Sequence, residues 1–173
     1  MEAIRIALLA LVAAIAYGVA HDQVTARICV EYFTIGHPPI FPTASPTLLA
    51  LGWGVIATWW VGLPLGCLLA LAARVGQRPK LAAAALRRPL AILLATMGSA
   101  AFLAGLVGGL LASRGTVWLA APFDQIVPPD RHTPFLIDLW AHSASYFTGI
   151  LGGFALVIWT WRARGRTHPL AVT

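Results

Sequence analysis

The pair Asp138 and His142 is the arrangement in this sequence that is best suited to chemistry. Residues four positions apart lie on the same face of an α-helix, so the carboxylate and the imidazole can work together. Such a pair can orient the imidazole as a general base, or it can supply two ligands to a metal ion. Tyr146 and Gly149 continue the same face, and the Tyr146 hydroxyl can donate a hydrogen bond to the site. Asp138 and His142 are therefore the catalytic candidates.

A zinc site needs at least one more nitrogen, oxygen or sulfur ligand than this pair provides. The predicted ligands are His21, Asp22, Glu31, Asp138 and His142, with His37, Asp130 and His132 as further candidates. No spacing among them matches an established metal motif such as His-Glu-x-x-His. The alternative therefore stays open that these groups solvate an outer surface and pair with Arg27, Arg114 and Arg131.

Four apolar stretches must position these residues. Of the 173 residues, 59% are hydrophobic and only 10% are charged, whereas a soluble domain carries roughly 25% charged residues. A membrane span needs about 20 apolar residues, and the sequence predicts spans at 4–20, 47–73, 89–112 and 136–161. The predicted fold is an all-α integral membrane protein, in which residues 1–173 form one four-helix transmembrane bundle.

The distribution of charge predicts the orientation of this bundle. The loop 74–88 holds five basic residues and no acid, and the tail 162–173 holds three basic residues and no acid. Because Lys and Arg are retained on the cytoplasmic side, both termini are predicted to be cytoplasmic. The cytoplasmic segments then carry a formal charge of +8 and the outer segments −2. This basic excess reports topology and gives no indication of nucleic-acid binding.

The two outer loops, 21–46 and 113–135, are long and contain proline, aromatic and apolar residues. We expect them to be ordered and to pack as a cap on the bundle. Residues 23–34 alternate in polarity as a strand does, but a helical continuation of the first span is favoured because it needs no strand partner. Such a helix would also pair Arg27 with Glu31.

Local signals predict where helices begin and bend. Ser45-Pro46 and Thr133-Pro134 each place a capping hydroxyl before a proline, which is typical of a helix start. Pro64 is expected to kink the second span. The first span has the composition of either a cleaved signal peptide or an uncleaved anchor, and its length favours the anchor.

Small residues recur at every fourth position in the later spans. Such stripes let helix backbones approach closely within lipid. Gly105 and Gly109 in the third span are predicted to meet Gly149 and Gly153 in the fourth, so that these two spans pack tightly as antiparallel neighbours.

Two short stretches carry a family resemblance: Tyr17–Thr25 reads YGVAHDQVT, and Glu31–Thr34 reads EYFT. Through them the chain resembles a family of uncharacterised bacterial four-span integral membrane proteins. Neither stretch is a catalytic signature, so the resemblance implies no activity and no cofactor. It does imply a setting in the bacterial cytoplasmic (inner) membrane.

The sequence leaves three functions open. The favoured one is a non-enzymatic binding or scaffolding protein, whose outer face binds a membrane or periplasmic protein, a second copy of the chain, a lipid headgroup or a divalent metal such as zinc. The second is a membrane-embedded enzyme that uses Asp138 and His142. The third is a small transporter or channel subunit. Ion-coupled carriers place ionisable groups in the membrane, and residues 48–73 and 90–112 contain no Asp, Glu, Lys, Arg or His.

Cysteine labelling of intact cells tests the predicted orientation. A membrane-impermeant maleimide added outside should leave Arg78→Cys unmodified, because the loop 74–88 is predicted to be cytoplasmic, and should modify Gln125→Cys. Labelling of Arg78→Cys without labelling of Gln125→Cys would reverse the topology.

Overall fold

The computed structural model describes residues 1–166, and every regular element in that range is helical. The elements are α1 (Glu2–Ile28), α2 (Val30–Thr34), α3 (Pro46–Ile56), α4 (Trp59–Arg74), α5 (Ala83–Ser113), α6 (Phe123–Ile126), a 3₁₀ helix (Pro129–Arg131) and α7 (His132–Arg166). The prediction of an all-α fold is confirmed. Residues 167–173 of the predicted tail lie outside the described residues.

Four helical stretches are long and apolar enough to cross a membrane: Glu2–Ile28, Pro46–Arg74, Ala83–Ser113 and Pro129–Gly165. They contain 27 to 37 residues, whereas about 20 suffice for the hydrocarbon core. Each stretch extends beyond the span predicted at that position. Hydropathy marks only the part of a helix that suits lipid, while helix α1 continues through Asp22, Thr25 and Ala26 because the bundle buries them.

The four long stretches run alternately in opposite directions, so the connections gather at two ends. We call the end that holds His21 and His142 the histidine end, and the end that holds the loop 75–82 and Arg164 the arginine end. The most extensive packing joins α5 to α7 and joins α1 to α3 and α4, and α4 also contacts α7. Contact between α1 and α5 is sparser.

Glycines bring α1 into backbone contact with α3 and α4. A Cβ atom placed on Gly66 would lie 2.6 Å from the backbone oxygen of Ala7, and one on Gly54 would lie 2.6 Å from the backbone of Val19. Only glycine permits so close an approach at these positions. Helices in a membrane gain van der Waals contact from such packing, since the hydrophobic effect does not drive them together.

The glycine stripes of α5 and α7 do not meet each other, although the two helices are neighbours. Gly105 and Gly109 lie against Ile137, and Gly105 also lies against Ala141. Residue 149 is eight positions past residue 141, which places it about 12 Å further along α7 at 1.5 Å per residue. Because the helices are antiparallel, it therefore lies opposite an earlier part of α5 than Gly105.

The glycines of α7 accept large side chains instead of the α5 glycines. Gly149 lies against Met97 of α5, and Gly153 lies against Leu65 of α4. The small residues therefore give close packing, but in a register that the stripes alone do not reveal.

The second span is two helices rather than one kinked helix. The sequence predicts a kink at Pro64, but the chain breaks earlier, at Ala57 and Thr58. The Val61 N–H donates to the Thr58 carbonyl at 3.1 Å, so the Ala57 carbonyl loses its usual helical partner. The Thr58 hydroxyl donates back to the Gly54 carbonyl, a bond that often bends helices.

Arg164 closes the arginine end of the bundle. Its side chain is completely buried and donates hydrogen bonds of 2.6–2.9 Å to the carbonyls of Ala72, Val75, Arg78 and Pro79. Carbonyls at the end of a helix lack helical donors and carry partial negative charge. The guanidinium therefore ties the end of α7 to the end of α4 and the loop that follows.

The chain between α1 and α3 is helical at first, apart from a break at Cys29. The Cys29 backbone is extended, with φ −145° and ψ 96°, and it separates α1 from α2. Arg27 then bonds Thr47, whereas Glu31 pairs with Arg131. The expected Arg27–Glu31 pair does not form, because it needed an uninterrupted helix.

The two predicted helix starts differ in outcome. α3 begins at Pro46 with Ser45 in the capping position. α7 begins at His132, one residue before the predicted cap at Thr133. Pro134 then falls within the first turn, where its missing N–H would have no helical partner.

The Gly66→Ala variant tests how far the contact between α1 and α4 supports the fold. The added methyl would meet the Ala7 backbone, which cannot rotate away, so we expect the free energy of unfolding to fall by about 1–3 kcal/mol. Gly98→Ala in α5 is the matched control, because its Cβ would have only Tyr17 within 4 Å, at 3.9 Å. There we expect unchanged stability or a gain of up to about 1 kcal/mol. Equal denaturation midpoints for the two variants would contradict this packing.

Candidate metal centre

His21, Asp22 and His142 come together at the histidine end, between α1 and α7. One ligand atom from each residue lies within 4.8 Å of the others. Asp22 and His142 are buried, with 5% and 7% of their surface exposed, and His21 is partly buried. Three of the five residues predicted as metal ligands thus form one group.

Both ring nitrogens of His142 have defined neighbours. Nδ1 lies 2.8 Å from the backbone oxygen of Asp138, and because a carbonyl oxygen only accepts, Nδ1 carries the proton of this bond. Nε2 lies 3.3 Å from Oδ1 of Asp22. In a neutral imidazole, Nε2 then presents a lone pair to a carboxylate. That arrangement is repulsive unless a proton or a cation lies between the two atoms.

The second imidazole of the group, His21, has an unsatisfied nitrogen. Nε2 of His21 is buried and has no hydrogen-bond partner among the described residues. The ring meets the His142 ring edge-on, with centroids 4.5 Å apart, and it stacks on Tyr17 at 5.8 Å. A buried polar atom without a partner is destabilising, so a ligand that bonds this nitrogen would stabilise the group.

Asp138 contributes its backbone to this group rather than its carboxylate. The side chain is completely buried, and neither carboxylate oxygen has a hydrogen-bond partner within residues 1–166. The nearby N–H of Cys29 is already donated to Thr25, at 2.9 Å. The four-residue spacing of Asp138 and His142 therefore gives a bond to the helix backbone, not the carboxylate–imidazole pair that a general base uses.

Glu31 lies outside the group and forms an ion pair. Its Oε2 accepts from Arg131 Nε at 2.9 Å and from the Cys29 thiol at 3.4 Å. Burial alone would raise the pKa of Glu31, but hydrogen bonds from its own backbone and from Arg131 hold that pKa below its usual value. Glu31 thus joins α2 to the 3₁₀ helix that precedes α7 and does not reach the histidines.

Of the three further candidate ligands, one lies beside the group and two lie elsewhere. His37 lines the cavity beside the group, with Nδ1 2.8 Å from the Tyr32 backbone oxygen, and burial lowers the pKa of His37. His132 bonds the backbone oxygen of Val127 at 2.9 Å. Asp130 is exposed in the 3₁₀ helix.

A cavity of about 80 Å³ adjoins the group and continues into the bundle. Near the group its wall is polar. Its deeper wall is formed by Ala10, Ala14, Leu65, Leu93, Leu94 and Met97. This volume suffices for two or three water molecules, since water occupies about 30 Å³ in the liquid.

Tyr17 and Ser145 belong to the wall of this cavity and are not identified from the sequence. Their hydroxyl oxygens lie 2.8 Å apart. Helical spacing was the available signal, because Tyr17 precedes His21 by four residues and Ser145 follows His142 by three. Tyr146 donates to the Ala57 carbonyl at 3.4 Å and not to the histidines.

The chain matches no protein-family model, no curated protein and no solved structure. The resemblance carried by Tyr17–Thr25 and Glu31–Thr34 therefore stays a prediction. Function has to be argued from the site itself, since a fold alone does not determine it.

The reactivity of Cys29 tests the packing around Asp138 and Glu31. The thiolate is the reactive form, and burial raises the pKa of the Cys29 thiol to about 11. In a Cys67→Ala variant, we expect Cys29 to resist a maleimide near neutral pH while the protein is folded, and to react after denaturation. Arg78→Cys in the same background is the exposed control. Equal labelling of Cys29 before and after denaturation would contradict its burial.

Proposed function

We propose that this protein binds one divalent metal ion within its helical bundle, through His21, Asp22 and His142. The observation that carries the proposal is the position of His142, whose Nε2 faces the Asp22 carboxylate at 3.3 Å. A cation between these atoms replaces the repulsion with two ligand bonds. It would also give a partner to the imidazole of His21, whose Nε2 is buried without one among the described residues.

The ligand set and its spacing suit zinc. Zn–N and Zn–O distances of about 2.0–2.2 Å place tetrahedral ligand atoms about 3.3–3.6 Å apart, and the Asp22–His142 distance of 3.3 Å falls in that range. The three ligand atoms lie within 4.8 Å of one another, so a modest side-chain rotation closes the set. Iron(II) also binds two histidines and one carboxylate.

The backbone of Asp138 supports this role for His142. Histidines that bind metals almost always donate their other ring N–H to a carbonyl, a carboxylate or water, and that bond fixes the tautomer and the ring orientation. The bond from Nδ1 to the Asp138 carbonyl, at 2.8 Å, is of this kind.

We further propose that the bundle lies in the bacterial inner membrane with both termini in the cytoplasm. The separation of charge supports this orientation, and it would place the metal site near the outer surface. The loops at the histidine end would cap the site, which is supported by the burial of Phe33, Leu119 and Phe135. Retention of α1 as an anchor is supported by its backbone contacts with α3 and α4.

A metal-dependent enzyme is the second candidate. Catalytic zinc sites commonly have three protein ligands and leave a fourth position for water or substrate. Three ligands beside a cavity of about 80 Å³ suit that description. A metal-free base built from Asp138 and His142 loses support, because the imidazole bonds the backbone oxygen instead.

Metal content of the detergent-purified protein tests the proposal. We expect about one equivalent of zinc, or of Co²⁺ with the visible absorption of a tetrahedral site. Loss of an outer-shell partner lowers metal affinity by roughly 10–100-fold. His142→Ala and Asp22→Asn each remove a ligand itself, so each should lower metal affinity by more than that.

His132→Ala is the matched control, because it removes a histidine of the same end whose ring bonds the Val127 backbone oxygen and which is not part of the group. Its metal content should stay the same. Thermal unfolding in the presence of a chelator shows whether each variant is folded. Metal binding that survives in folded His142→Ala and Asp22→Asn would refute the site.

A further inference from the structure

An apolar groove of about 790 Å³ runs between α1 and α5 toward the histidine end. Its floor on α5 consists of small residues: Gly98, Ala101, Gly105, Gly109 and Ser113. Its edges include the exposed side chains of Phe102, Leu106 and Val24. The volume lies in the range of about 300–1,000 Å³ that is usual for ligand sites.

His21 separates this groove from the cavity of the candidate metal centre and lines both of them. Tyr17 does the same four residues earlier on α1. A molecule in the groove therefore lies against the imidazole that we assign to the metal. The groove is a lateral route from the bilayer to the site.

We propose that a phospholipid occupies this groove, with one acyl chain along α5 and its glycerol and phosphate groups at the histidine end. The inference rests on the proposed metal site and names membrane lipid as the ligand class that reaches it. From Gly98 to Ser113 the groove extends about 22 Å at 1.5 Å per residue. Half of the hydrocarbon core measures about 15 Å, so a chain from one leaflet fits lengthwise.

Arg114 gives the groove charge complementarity to a phosphate. It follows Ser113 at the end of the groove and is exposed, whereas Arg131 is committed to Glu31. Arginine pairs with phosphate through two parallel hydrogen bonds. A helix from a second copy would also cover the groove, but an apolar helix offers neither an anion to Arg114 nor a polar group to His21.

Photo-crosslinking of the intact protein tests the proposal. The protein is reconstituted in phosphatidylcholine vesicles that contain a trace of phosphatidylglycerol with a diazirine in mid-chain. We expect crosslinks to concentrate at residues 17–28 and 98–113. They should fall several-fold in Gly98→Phe, because a side chain there enters the groove with only Tyr17 within 4 Å of its Cβ.

Leu103→Phe is the matched control, because Leu103 is 60% exposed on the same helix and does not line the groove. Its crosslinking should be unchanged. Val24→Phe places a ring in the groove from the α1 side. It replaces Gly98→Phe in the experiment if that variant does not fold. Arg114→Gln should remove the preference for phosphatidylglycerol over an equally labelled phosphatidylcholine, and Arg88→Gln at the arginine end should keep it.

Uniform crosslinking around the bundle would overturn the lipid proposal, as would crosslinks that join two copies of the chain across the groove. Zinc content of the same samples separates the two proposals. Concentrated lipid crosslinks in a protein that binds no zinc would support the groove and refute the metal site. Bound zinc with uniform lipid labelling would support the metal site and refute the groove.

Discussion

The backbone contact between α1 and the α3–α4 pair is the constraint on which the candidate site depends. Gly54, Gly62 and Gly66 leave no space for a side chain between these helices, so the contact fixes both the depth and the rotation of α1. That rotation buries Asp22 and sets His21 between the cavity and the groove. Apolar side chains gain little by leaving lipid for a helix interface, so close packing is the force that can hold this position.

The break between α3 and α4, at Ala57 and Thr58, lies beside this contact with α1 and also borders the candidate site. Gly18 contacts Thr58, one turn before the histidine group on α1, and Tyr146 reaches the Ala57 carbonyl from α7. Non-helical backbone inside a membrane is tolerated only where protein or a polar cavity covers it. Here the cavity beside His142 covers it. The broken helix and the polar group therefore line the same cavity.

The four spans are predictable from the sequence because hydropathy is a local property, but contacts between helices are not. A glycine stripe indicates a close neighbour without identifying it, so the register of α5 on α7 cannot be read from it. The spacing of Asp138 and His142 fixes their common face, but not whether the imidazole bonds the carboxylate or the backbone. The approach of Asp22 to His142 spans 120 residues and depends on the packing of the whole bundle.

The unpartnered nitrogen of His21 gives a further reason to favour a metal over a proton at the site. A proton on His142 would satisfy Asp22, but Nε2 of His21 would still lack a partner within the described residues. We propose that a divalent ion held by Asp22 and the two histidines would give a partner to the Asp22 carboxylate and to His21 together, whereas a single proton on one imidazole cannot reach both.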